Sequence, residues 1–287
     1  MQASHRQPGS VRGTGPESFS VPAENGELLM VTRFGAHNAP ATVVYLPGPL
    51  SDSAYFMPLV LDLQNDLGSA IAHLVYDRRR ALPPGRTPAG RAAMAQRVDD
   101  LDAVIGGACG HVVLVVHSVS MIVVQEWLFR HRHDRQQLAA IVAVCPVPEL
   151  ADPAGALTAN PTEAARRAGI GLVRAMIGTG WPDRHLRGDA VFEAARQDLR
   201  AYRRCGTDLA VVEDLLRATP TWILAGRQDT VVHWERAEEL ASTVWAELVV
   251  VEDAGHDLAH THLRAAVDAT VAALKAVHDL NVYGGSW

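Results

Sequence analysis

The chain has 287 residues, with 48% hydrophobic and 20% charged side chains. That is the balance of a globular chain able to bury its own core, and it excludes a disordered or collagen-like polymer. A formal net charge of −6 argues against nucleic acid as a main partner. The basic clusters, Arg78 to Arg80, Arg166-Arg167 and Arg203-Arg204, are short enough to be solvated or ion-paired faces.

Residues 1–17 are polar and rich in Gly, Pro and Ser, and read as a loose tail without a secretory apolar region. The longest apolar stretch, 112–124, is interrupted by His117, Ser118 and Ser120. It is also shorter than the roughly 20 residues that cross a bilayer. Three cysteines, Cys109, Cys145 and Cys205, form no C-x-x-C pair, so a cytoplasmic, reducing location is expected.

In chain order, Ser18–Val21 and Leu28–Phe34 predict a hairpin around Glu24-Asn25-Gly26-Glu27. Thr42–Leu46, Ile71–Tyr76, His111–Val116 and Ala140–Cys145 predict strands, and the stretches 91–105 and 121–129 predict helices between them. From about 147 to 218 there is no strand text, only helical spacing at 163–176, 190–202 and 209–216. Strands resume at Thr221–Ala225 and Glu247–Val251, with helices at 234–243 and 261–278 and a loose tail from 281. Continuous apolar strands alternating with helices predict an α/β fold, a mostly parallel sheet flanked by helices. The strandless stretch, 147–218, reads as a helical cap inserted between strands of a core made of 18–146 and 219–280.

Ligands of such sheets sit at the carboxyl ends of the strands. There the sequence places Pro47-Gly48, Asp77, His117-Ser118, Gly226-Arg227-Gln228-Asp229 and Asp253-Ala254-Gly255-His256. An alcohol, a carboxylate and an imidazole thus follow three strands, in the order Ser118, Asp229, His256. Ser118 alone also suits a helix N-cap, and Asp229 alone a turn or cap.

Together these residues resemble the α/β-hydrolase superfamily, over about 19–279. Its nucleophile sits on a strand-to-helix turn written G-x-S-x-G, followed by an acid and then a histidine. Here the elbow reads Val116-His117-Ser118-Val119-Ser120. The resemblance implies a Ser118-His256-Asp229 triad, with the Val119 N–H as one oxyanion donor. The usual second donor position is occupied by Pro49, which has no N–H, so Leu50 is expected to supply it. Glu149 is a lesser candidate for the acid.

The activity implied is that of a serine esterase on a small or medium carboxylic ester, with a thioester or lactone as the alternative substrate. Its partner is an apolar small molecule, with no cofactor, no metal and no nucleic acid. His117 is expected to orient the elbow or pack beneath it, and Asp77 to bond loop N–H groups. Tyr55, Phe56, Met57, Met176 and Trp181 are candidates for a pocket lining or for core. Because Val116, Ser120 and Pro49 depart from the family pattern, two alternatives stay open. One is a cofactor-free lyase, cyclase or oxygenase using the His-Asp pair as base; the other is a non-catalytic ligand-binding receptor.

Overall fold

A computed structural model describes residues 15–24, 26–48, 51, 53–77, 91–134, 137–148 and 207–283. Eight strands form one sheet in the order β1-β2-β4-β3-β5-β6-β7-β8. β1 (Glu17–Pro22) and β2 (Leu28–Gly35) are the expected antiparallel hairpin, and β2 also runs antiparallel to β4 (Ile71–Tyr76). The rest of the sheet is parallel: β4, β3 (Ala41–Leu46), β5 (His111–His117), β6 (Leu138–Val144), β7 (Thr221–Gly226) and β8 (Glu247–Val251).

β3, β4 and β7 are buried from end to end, which is why each reads as an unbroken apolar run. Side chains still alternate between the two faces. On one face Val44, Leu114 and Val116 share a core with Met94, Val98 and Leu101 of α2 (Arg91–Gly106) and Ile122 and Trp127 of α3 (Ser120–Arg130). On the other, Val43, Val113, Val115 and Val142 pack with Leu59 and Leu63 of α1 (Met57–Leu67) and with Val267 and Ala273 of the last helix. Each such side chain contributes about 1.5–3 kcal/mol by leaving water.

Several boundaries differ from the sequence reading. α1 has no counterpart there; Pro58 enters it near the start, where its missing N–H has no intrahelical partner to lose. The final helix is present as α7 (Leu263–Tyr283), and a short α6 (Leu258–Thr261) precedes it, separated at His262, whose φ of −131° and ψ of 51° are not helical. α7 carries residues 281–283, placed in the loose tail by sequence; no glycine or proline precedes Gly284 to stop it earlier. Glu17, placed in the N-terminal tail, opens β1. β6 ends at Val144, because Cys145 turns to a φ of 45° before Pro146.

Residues 149–206 lie outside the described residues, and with them most of the expected cap. Its last helix is present as α4 (Leu209–Arg217), capped by the Asp208 side chain, which accepts from the Ala210 N–H at 3.0 Å. Both flanks of that stretch are fastened to α3. Gln125 donates to the Pro148 carbonyl at 3.2 Å, and Thr207 donates to the Glu126 carboxylate. α5 (Trp234–Val244) lies between β7 and β8 in the chain. Among the described residues no helix is long and apolar enough to cross a membrane.

One imidazole lies inside this core. His73 on β4 is fully buried and shares a 2.8 Å hydrogen bond with the Tyr45 hydroxyl. Burial pushes its pKa down to about 4. The unfolded chain therefore takes up a proton here below about pH 6.5, while the folded chain does so only near the lower value. Stability conferred by keeping this ring neutral is full above the unfolded pKa and falls between those limits, by about 1.4 kcal/mol per pH unit. His73→Gln is expected to flatten the fall of the melting temperature between neutral pH and the acid limit, measured by calorimetry across that range.

Candidate active site

The site is assembled at the carboxyl ends of β5, β7 and β8. Ser118 follows β5 with a φ of 58°, a left-handed conformation that a non-glycine residue adopts at a cost of about 1–3 kcal/mol. Its backbone is held on both sides. The Ser118 N–H donates to Val144 at 3.0 Å, and its carbonyl accepts from Met121 at 3.2 Å and from Val147 at 3.1 Å. Val119, with φ −64° and ψ −16°, leads directly into α3.

The missing elbow glycines are accommodated by packing. Val116 lies wholly inside the core layer that contains Val119 and Ile122. Ser120 donates its hydroxyl to the Pro47 carbonyl at 2.7 Å, tying the elbow to the loop after β3.

The three expected side chains meet. His256 Nε2 and Ser118 Oγ are 2.9 Å apart, and His256 Nδ1 and Asp229 Oδ2 are 2.7 Å apart. All three residues are buried, at 1%, 4% and 5% exposure for Ser118, Asp229 and His256. The other Asp229 oxygen accepts from the N–H groups of Val231 at 2.8 Å and Val232 at 2.9 Å. Burial by itself raises the pKa of this carboxyl. The hydrogen bond from His256, the charge of that imidazole and the two backbone donors outweigh it, so the net shift is downward and the group is a carboxylate at neutral pH. The arrangement is a buried, oriented hydrogen-bonded chain from an alcohol through an imidazole to a carboxylate.

The acid and histidine loops are pressed together. The Arg227 N–H donates to Val251 and the Gln228 N–H to Ala254, each at 2.9 Å. A Cβ on Gly226 would come within 2.4 Å of the Ala254 carbonyl oxygen and 2.7 Å of that of Gly255.

Two neighbours of the triad escape a reading of the sequence. Cys145, at the end of β6, has its sulfur within 4.8 Å of the acid and the imidazole, the one such His/Cys/Asp/Glu group among the described residues. Burial first, then the charge of Asp229, raises its thiol pKa well above the usual value, so it stays protonated. With Asp229 and His256 bonded to each other and the thiol neutral, the cluster favours proton transfer over metal binding. The second is the Tyr55 ring, stacked on His117 at 4.7 Å. No sequence pattern signals either contact, although Tyr55 is among the expected lining or core residues and Cys145 closes a predicted strand.

Of the other expected residues, Asp77 accepts from the Ser53 N–H at 2.9 Å, and Phe56 is core, 5.3 Å from the Tyr45 ring. His260 bonds the Tyr55 carbonyl at 2.6 Å, and His262 pairs with Asp253 at 3.0 Å. Pro49, Leu50, Glu149, Met176 and Trp181 lie outside the described residues.

Residues 43–273 match the model of the Alpha/beta hydrolase family. The chain therefore belongs to the alpha/beta hydrolase family. Among solved structures it is similar to an esterase from Exiguobacterium antarcticum, at 18% identity and a TM-score of 0.65, covering 90% of this chain and 100% of that one. It is also similar to a 2-hydroxy-6-oxo-6-phenylhexa-2,4-dienoate hydrolase from Rhodococcus sp. strain RHA1, at 16% identity, a TM-score of 0.62 and coverages of 91% and 99%. A thermophilic esterase from Thermogutta terrifontis aligns at 20% identity with a TM-score of 0.59 and coverages of 91% and 99%. Among curated proteins no sequence matches significantly.

Gly226→Ala is expected to destabilise the fold by about 1–3 kcal/mol, as overpacking does, measured by urea unfolding. The clash is with backbone, so side-chain rotation cannot relieve it.

Proposed function

We propose that the chain is a serine hydrolase that cleaves small or medium carboxylic esters, thioesters and lactones through an acyl-enzyme on Ser118. The observation that carries this reading is the continuous hydrogen-bonded chain from Ser118 through His256 to Asp229, at 2.9 and 2.7 Å. The esterases of Exiguobacterium antarcticum and Thermogutta terrifontis lend support by likeness of fold.

Asp229 holds the proton on His256 Nδ1, leaving Nε2 to accept from the Ser118 hydroxyl. As Oγ attacks the ester carbonyl carbon, its proton passes to Nε2 and the carbonyl oxygen becomes an oxyanion. The Val119 N–H, at the start of α3, stabilises that oxyanion; a donor of this kind is commonly worth about 10²–10³ in rate. The intermediate then collapses: the bond to the leaving oxygen or sulfur breaks, and that atom takes the proton from Nε2. Water repeats the sequence on the acyl group, giving its proton to Nε2 and its oxygen to the acid, and Ser118 is restored. Leu50 is the proposed second oxyanion donor, and residues 147–218 the proposed cap that selects the acyl chain. Free Cys109 and Cys145 suit a cytoplasmic setting.

A lyase, cyclase or oxygenase would need the His256 base but not the alcohol. The strained Ser118 backbone and its bond to His256 favour the nucleophile instead, since neither serves a base acting alone.

Ser118→Ala is expected to abolish hydrolysis of a panel of activated esters, and to prevent both the acyl mass shift and labelling by a fluorophosphonate probe. Full esterase activity in that variant would overturn the reading. Asp229→Asn is expected to lower kcat on the order of 10⁴-fold, followed in the same assay.

A further inference from the structure

We propose that His117 is a positioning residue, an imidazole that seats His256 against Ser118 by donating its Nε2–H to the His256 backbone carbonyl. The two atoms are 3.0 Å apart. A carbonyl can only accept, so Nε2 carries the hydrogen, and in the neutral ring Nδ1 is then bare. Among the described residues, buried Nδ1 has no hydrogen-bond partner. Gly48 lies against it so closely that a Cβ there would stand 2.5 Å from Nδ1. Desolvation, with the charge of His256 next in size, pushes the His117 pKa down to about 3.

Two rings pack against it. Tyr55 stacks on it at 4.7 Å and 24°, and the His256 ring leans on it at 4.9 Å and 50°. Tyr55 is itself held by His260, which bonds its carbonyl at 2.6 Å and packs its ring at 4.8 Å. Four rings therefore run in a row from α6 to the triad, and the member beside Ser118 in the chain is the one bonded to the histidine loop. One residue thus fixes the nucleophile by a peptide bond and the base by a hydrogen bond, although His117 and His256 are 139 residues apart. Neutrality matters to this role. When His256 becomes a cation during acyl transfer, a charged ring at 4.9 Å would oppose it, whereas a neutral one does not.

The inference deepens the esterase reading and rests on it for its kinetic arm, while its spectroscopic arm needs no substrate. In protein labelled with nitrogen-15 histidine, His117 is expected to show the neutral Nε2–H tautomer from about pH 8 down to about pH 5, where an ordinary histidine becomes charged. The titratable groups facing it are His256, Asp229 and His260, with Tyr55 across the stack. A charged ring, or an Nδ1–H tautomer, in that range overturns the proposal however any variant folds.

His117→Phe keeps a ring in the stack and removes the donor. It is expected to lower kcat on the order of 10- to 100-fold with little change in KM, the penalty of a misplaced catalytic group. It should also broaden or remove the far-downfield proton signal of the His256–Asp229 bond. His117→Gln, whose amide can reach the same carbonyl, is expected to restore part of both. Wild-type kcat and an unchanged downfield signal in His117→Phe would overturn the proposal. If instead the wild type lacks Ser118-dependent turnover while the tautomer and the downfield signal behave as expected, the esterase reading fails and the positioning role stands.

Discussion

The left-handed backbone of Ser118 is the constraint on which the site depends. A φ of 58° is unfavourable for serine, and the chain holds it only because backbone bonds from Val144, Met121 and Val147 all converge on that one residue. The partners come from β6, from the first turn of α3 and from the segment leaving β6. The strain therefore persists only while the parallel β5–β6 pair and the helix packed on it are intact. In return, the hydroxyl is lifted off the strand line to the level where the β7 and β8 loops deliver Asp229 and His256.

A second physical theme is which buried groups carry charge. Asp229 is ionised because four favourable interactions outweigh its burial. For His73 and His117 desolvation prevails and both are driven neutral, and burial together with the charge of Asp229 keeps Cys145 a thiol. Around His256, then, the neighbouring His117 and Cys145 are neutral and Asp229 is the carboxylate bonded to it. A neutral surround leaves the field of Asp229 on His256 uncancelled by other nearby ions.

Much of this was legible in the sequence, and for identifiable reasons. Fully buried parallel strands such as Ala41–Leu46 and Thr221–Gly226 leave unbroken apolar runs, so their carboxyl ends could be located and the residues just beyond them compared. Asp229 follows one such end, at β7, and His256 follows β8, a run of Val and Leu that is only half-buried. What escaped was carried by contact, not by pattern. The sulfur of Cys145 approaches the Gly255 carbonyl across 110 residues of chain, at 3.8 Å, with no periodicity to announce it. α1 was hidden by Pro58, a residue usually read as a break, and the interruption at His262 by helix-forming neighbours on both sides. The glycines absent at Val116 and Ser120 looked like damage to the elbow; the Ser120 hydroxyl instead replaces close packing by a bond to Pro47.

The two tethers on α3 bear on how such a chain diversifies. Pro148 and Thr207 are secured by Gln125 and Glu126, adjacent in sequence on one rigid helix. The gap to be bridged between those anchors is thereby set by the sheet and its helix, independently of the 58 residues of 149–206 that intervene. Doubling the length of a flexible bridge adds only about 0.6 kcal/mol of closure entropy. The anchors, and the described site with them, are consequently held in register by the sheet and α3 and not by the sequence that intervenes.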